Sequence, residues 1–285
     1  MYFLQIVWTA NPEFIDILGL SIRWYGVLFA LGFLIGFFII KYLISLDNVP
    51  VKVADDILIY VAIGAVAGGR LGHCFFYEPE YYLSNPLQIL NLRQGGMASH
   101  GAVIGIILSV FFFVKYKLNR SFFWLGDRVV IPVALAASFI RLGNLFNHEI
   151  YGHATDVPWA FQYVRNVSSW MGGADPIFTQ PSHPTQLYEA FSYMVLFAAL
   201  WFLFKKFRTT MGEGFIAGIF LMGMFTIRFL IEFVKEVQVD FEVGMALNMG
   251  QILSIPAVLL GLWLLISSKN RKIKYTSPAI KVKSK

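Results

Sequence analysis

A single cysteine, Cys74, stands among the 285 residues, so no disulfide can form within the chain. Charge is scarce too: Asp, Glu, Lys and Arg make up 14% of the residues, against about 25% in an ordinary soluble domain. The first twenty residues lack a basic leader and contain Pro12, Glu13 and Asp16, which argues against a cleavable signal peptide. No Gly-rich nucleotide loop, Ser-His-Asp set, nucleic-acid motif, internal repeat or heptad pattern is found. The histidines are scattered without metal-ligand spacing, so neither a metal nor another cofactor is expected. Cys74 has no acid or base beside it in sequence and is expected to pack rather than react.

Long uncharged runs take the place of charge, at 24–40, 97–114, 190–204 and 243–268. They imply an all-α integral membrane protein. Seven transmembrane helices are predicted, at 22–45, 55–77, 97–118, 125–146, 184–206, 213–236 and 246–268. They form a membrane domain over 22–268, between an extracytoplasmic or interfacial segment at 1–21 and a basic tail at 269–285. Lys41, Lys52, Lys115, Lys117, Arg120, Arg128, Lys205, Lys206, Arg208 and the tail fall on one side of such a bundle. The other side keeps Arg23, Arg93, Arg165 and Lys235. The positive-inside rule then places the C-terminus in the cytoplasm and the N-terminus outside, and accounts for the net charge of +6 without nucleic acid. Residues 78–95 mix Tyr81, Tyr82, Leu83, Leu87 and Leu90 with polar groups and read as an interfacial amphipathic arm. Residues 147–182 read as a small extracytoplasmic head. Gly64, Gly68 and Gly72, and Gly32 with Gly36, recur every four residues and predict close helix contacts.

Into this apolar background runs Ile140-Arg141-Leu142-Gly143-Asn144-Leu145-Phe146-Asn147-His148-Glu149-Ile150-Tyr151-Gly152. Polar groups at membrane depth are costly, need partners and mark a functional site. Arg70, Arg141 and Arg228 each lie about 15 residues from the inner end of their helix, roughly 22 Å into a ~30 Å core. They are expected to share one layer, where three fork-shaped donors suit a phosphate. Snorkelling, or pairing with an acid such as Glu232 four residues after Arg228, is the plainer alternative. Tyr25, His100, His183 and Glu189 open other helices near the same layer. His100, set in Gly95-Gly96-Met97-Ala98-Ser99-His100-Gly101, is the candidate proton acceptor, since an imidazole can exchange a proton with a reacting group, with glycines permitting close approach of a ligand. The implied ligand is a membrane lipid with an anionic head. The residues alone leave open a head-group transferase or phosphatase and, in another class, an organic-anion transporter, although no inverted repeat supports the last.

These residues resemble the prolipoprotein diacylglyceryl transferase family. The likeness rests on Arg141-Leu142-Gly143-Asn144 with Asn147, Glu149 and Gly152, on Trp24-Tyr25-Gly26 and on Gly68-Gly69-Arg70. It extends to Gly95-Gly96-Met97 with His100-Gly101, His183-Pro184 with Gln186-Leu187-Tyr188-Glu189, Arg228 with Glu232, and the Met249–Pro256 run. Ile140, Leu145, His73 and Met224 depart from the pattern without removing a charged or proton-carrying group. The resemblance implies a multi-pass protein of the bacterial cytoplasmic (inner) membrane, expected as a monomer. Its activity would move the diacylglyceryl group of phosphatidylglycerol to the lipobox cysteine of a prolipoprotein signal peptide. It implies catalytic roles for His100, Tyr25 and Arg228, and substrate binding by Arg141, Asn144, Glu149, Gly152, Arg70 and Glu232. His183 and Glu189 are secondary candidates.

Overall fold

The structure, a computed structural model, describes residues 6–17, 19–91, 96–236, 242, 244–272 and 279. Arg93, Gly95 and most of the basic tail lie outside them. Seven helices are long and apolar enough to cross a membrane. They are α1 (Trp24–Ser45), α2 (Lys52–Phe76), α4 (Ser99–Lys117), α5 (Phe122–Phe146), α7 (Thr185–Phe207), α8 (Phe215–Ile231) and α9 (Met249–Ser268). Their ends fall within a few residues of the predicted ones, because run length in an apolar sequence leaves little freedom. Two short helices, α3 (Pro79–Ser84) and α6 (Val167–Met171), lie between spans.

The chain divides into two compact units. One comprises residues 39–125 and 273–285, the other 1–38 and 126–272. In the first, α2 packs on α4 backbone to backbone. A Cβ on Gly68 would lie 2.3 Å from the Gly101 carbonyl oxygen, and one on Gly105 would lie 2.1 Å from that of Gly64. The four-residue glycine spacing therefore serves packing, as predicted. It also claims Gly101, so that glycine meets α2 and not a ligand. Cys74 is buried in this unit.

In the larger unit, Gly32 and Gly36 of α1 face Ala136 and Pro132 of α5. The first turn of α8 is capped from α5: buried Asp127 accepts from the Gly214 N–H at 2.7 Å and the Ala217 N–H at 2.9 Å. A carboxylate there satisfies orphan donors and meets the positive end of the helix dipole. On α9 a capping box joins Asn248 and Gln251.

Among the described residues, four short strands join the helices. β2 (Glu13–Ile17) and β3 (Leu20–Arg23) form a hairpin with Gly19 at φ +84° in its turn. β1 (Ile6–Val7) pairs in parallel with β4 (Phe161–Gln162). Segments of two to five residues carry too little periodicity to be read from sequence. Trp8 donates from Nε1 to the Leu145 carbonyl at 3.0 Å and packs on a core of Leu145, Phe161 and Tyr163.

His148 ties the N-terminal segment at Ala10 to Val164. The buried ring accepts the Val164 N–H on Nδ1 at 3.2 Å, so Nε2 carries the hydrogen and donates to the Ala10 carbonyl at 2.9 Å. Burial lowers its pKa, against the Ala10 hydrogen bond, and protonating Nδ1 would break the Val164 bond. A depressed folded-state pKa gives stability that is complete above the unfolded value of about 6.5 and is lost as pH falls below it. The unfolding temperature should therefore drop between pH 7.5 and 5.5. The drop should shrink in His148→Gln without vanishing, because His183 is also pushed down, chiefly by burial. An unchanged slope in that variant would refute the assignment.

Candidate active site

Arg141 lies a turn and a half before the end of α5, with Asn144 on the next turn of the same face. Its Nη1 donates to Asn144 Oδ1 at 3.2 Å, and Asn144 Nδ2 donates to Glu149 Oε1 at 2.9 Å. Asn147 Nδ2 reaches the same Glu149 oxygen at 3.0 Å, while Asn147 Oδ1 is buried and accepts no hydrogen bond among the described residues. Past the helix end the chain turns sharply, with His148 at φ +57° and Ile150 at φ +61°. Left-handed backbone on both sides of Glu149 is strained for such side chains and persists only where surroundings enforce it. Here His148 is held at both ring nitrogens, and the Glu149 carbonyl accepts from Gln186 Nε2 at 2.7 Å.

On its other edge Arg141 meets α7. Its Nε lies 2.8 Å from Glu189 Oε2, and the Glu189 side chain is 1% exposed. That oxygen accepts no aligned hydrogen bond, so the contact is charge pairing, and it is what compensates the buried carboxylate. Buried Tyr193 donates to Glu189 Oε1 at 3.3 Å and lies within electrostatic range of both Arg141 and Arg228. Tyr25 enters from α1, where its ring and Cα press on Gly143. A Cβ there would lie 2.8 Å from Tyr25 Cδ2. The neighbouring Trp24 stacks on Phe146, with ring centroids 5.0 Å apart.

Arg228 and Glu232 pair less tightly than an i,i+4 spacing suggests, with Nε and Oε1 3.6 Å apart. α8 ends at Ile231 and continues as a 3₁₀ turn over Glu232–Val234. Glu232 instead takes Lys235 Nζ at 3.1 Å and Asn248 Nδ2 at 3.0 Å. The Lys235 side chain is 4% exposed and that of Arg228 38%. Two cations against one acid leave net positive charge at the C-terminal end of α8, and Arg228 is the open member.

Gly152 sits at a crossing. Its N–H donates to the His183 carbonyl at 2.9 Å, and the next N–H, of His153, donates to the Val234 carbonyl at 2.9 Å. His183 Nδ1 contacts the Tyr188 hydroxyl at 3.2 Å, and its described hydrogen bonds do not reach the arginines. The smaller unit, which includes residues 39–125, holds Arg70 and His100. His100 is exposed on the first turn of α4, whereas Arg70 is 3% exposed and donates to main-chain carbonyls. Among the described residues no three metal-ligating side chains converge.

Arg141, Asn144, Asn147, Glu149 and Glu189 thus form one arginine–carboxylate–amide network, and Arg228, Glu232, Lys235 and Asn248 a second. A family model described as prolipoprotein diacylglyceryl transferase matches residues 12–267. The chain belongs to the prolipoprotein diacylglyceryl transferase family. Three relatives share the name phosphatidylglycerol–prolipoprotein diacylglyceryl transferase. The one from Tolumonas auensis is 42% identical over 272 residues, covering 95% of this chain and 100% of its own. The one from Chloroherpeton thalassium is 40% identical over 273 residues, covering 95% and 98%. That from Porphyromonas gingivalis is 40% identical over 274 residues, covering 94% and 96%. With seven helices of spanning length, the chain is a multi-pass membrane transferase of this family.

Three residues in or beside these networks escape a reading of the sequence. Tyr193 is one of thirteen tyrosines and sits in an apolar run, and its only signal is the i,i+4 spacing from Glu189. Lys235 follows Glu232 by three and Arg228 by seven, a spacing that reads equally as an exposed basic residue at a span end. Asn147 is quoted in the motif but carries no obvious role until its unpaired oxygen is seen.

Proposed function

We propose that this chain transfers the diacylglyceryl group of phosphatidylglycerol to the thiol of the lipobox cysteine in a bacterial prolipoprotein. In this step, the first in lipoprotein maturation, the glycerol carbon–oxygen bond to phosphate breaks and a carbon–sulfur bond forms. Glycerol-1-phosphate leaves and the thiol proton passes to a base. The site lies toward the outer leaflet of the inner membrane, with the N-terminus outside and the basic tail in the cytoplasm. The observation that carries the reading is Arg228, open and loosely paired, within electrostatic range of the same Tyr193 as an Arg141 already oriented on both edges.

The two guanidinium groups take the phosphate and stabilise the charge it gains as it leaves. Glu189 and Asn144 fix the Arg141 fork, so little reorganisation is needed. Glu149 and the unpaired Asn147 oxygen accept hydroxyl hydrogens of the glycerol head. Tyr25 lines the site from α1. His100, exposed and opening α4, is the base that takes the thiol proton. The nucleophilic sulfur is the substrate's, which leaves buried Cys74 outside the chemistry.

Purified protein given phosphatidylglycerol and a lipobox peptide should yield a thioether-linked diacylglyceryl peptide and glycerol phosphate in equal amounts. Cys74→Ala should keep that rate, and His100→Gln should lower it about 10²–10⁴-fold. A folded preparation that forms no glycerol phosphate with this pair would falsify the proposal.

A further inference from the structure

Arg70 was grouped with the phosphate-binding arginines because of its depth. Its surroundings point elsewhere. Nε donates to the Ile89 carbonyl at 2.8 Å, and Nη2 to those of Gln88 at 2.7 Å and Asn91 at 2.9 Å. Nη1 donates to the Gly96 carbonyl at 3.3 Å, and the guanidinium plane lies over the Tyr82 ring, 4.9 Å from its centroid. Gln88 and Ile89 lie at the end of the 3₁₀ turn Pro86–Leu90, where the Gln88 carbonyl also accepts the Asn91 N–H at 3.1 Å. A planar fork fixed to several carbonyls at once is a use that arginine fits and lysine does not. A phosphate at Arg70 would have to displace these carbonyls from the guanidinium, at the cost of the hydrogen bonds they accept.

The loop is fastened at two further points. The Ala98 N–H donates to the Gly69 carbonyl at 2.9 Å, one residue before Arg70. Gly96, at φ +77°, lies flat against His73. A Cβ there would be 2.4 Å from His73 Cδ2 and 3.0 Å from Arg70 Nη1. One residue past Ala98, α4 begins with Ser99 and then His100.

We infer that Arg70 is a positioning residue: its guanidinium clamps the end of the arm to α2 and so sets the start of α4, with His100 on it. The inference rests on His100 being the base. It also predicts a different kinetic signature from that of a phosphate ligand, because a displaced base slows the chemical step without weakening capture of the lipid.

The test uses the full chain in detergent or nanodiscs. Arg70→Lys should lower kcat about 10–100-fold, with KM for phosphatidylglycerol essentially unchanged. Hydrogen exchange should rise over 86–91 and 96–98 but not over α7 or α8. In Arg70→Ala, added guanidinium should restore protection and rate together. If Arg70→Ala does not fold, Gly96→Ala answers the same question, since it displaces the loop while keeping the cation in the chain and should give the same exchange pattern and the same fall in kcat. A raised KM with undisturbed exchange would overturn the inference and return Arg70 to the phosphate. Loosened exchange with a normal kcat would also overturn it. Near-normal turnover in His100→Gln would instead remove the base, and exchange alone would then decide whether Arg70 is a clamp.

Discussion

Arg141→Ala should abolish transfer and lower the unfolding temperature together, and the two losses should separate when Glu189→Gln is added. The Glu189 side chain is 1% exposed, and the Oε2 facing Arg141 has no aligned hydrogen bond to fall back on. Removing the arginine therefore leaves an uncompensated buried carboxylate, which costs about 3–5 kcal/mol. Glutamine in its place carries no charge and still accepts from Tyr193. The double variant should melt near the wild-type temperature while turnover stays at least ~10²–10³-fold down, the usual effect of losing a donor to developing negative charge. Arg141→Lys should hold the fold but not the rate, because one ammonium cannot meet Glu189, Asn144 and a phosphate together. Wild-type turnover in the double variant would remove Arg141 from the phosphate site.

How far the sequence carries depends on which forces act locally. Span positions follow from apolar run length alone. The Arg141–Asn144–Glu149 link is also local, since three residues on a helix place the arginine and the asparagine on one face and the turn after it returns the glutamate. Arg70 shows the opposite case. Its depth in α2 is as legible as that of Arg141, but what receives its donors is a loop some twenty residues onward, and nothing in the composition of that loop announces free carbonyls. Glu232 lies between these cases. The i,i+4 spacing finds its partner in Arg228, while the shorter contact, past the helix end at Ile231, goes to Lys235.

The glycine at 152 should prove as intolerant as the arginines, although it offers no chemistry. In Gly152→Ala the new methyl would meet the Val234 carbonyl oxygen at 2.3 Å, His183 Cβ at 2.8 Å and Thr185 Cγ2 at 2.8 Å. None of these is the far end of a flexible side chain, so relief must come from moving backbone. That backbone is a junction. Gly152 and His153 donate to His183 and Val234, His183 donates back to His153, and Gly152 bridges to Lys235. The segment after α5 that carries Glu149 is thereby joined both to the start of α7, above Glu189, and to the turn that holds Glu232 and Lys235. Overpacking at such a point costs about 1–3 kcal/mol, and a shift of about 1 Å between groups that must act together costs about 10²-fold in rate. Gly152→Ala should therefore melt measurably below wild type in detergent and lose transfer by about two orders of magnitude, with Gly152→Ser no better. Because the damage is a parting of segments, it should fall on both arginine clusters: cross-linking between cysteines placed near Asn147 and near Lys235 should weaken in the variant. Wild-type cross-linking and turnover in Gly152→Ala would show that the crossing has slack and that the glycine is needed for something other than close approach.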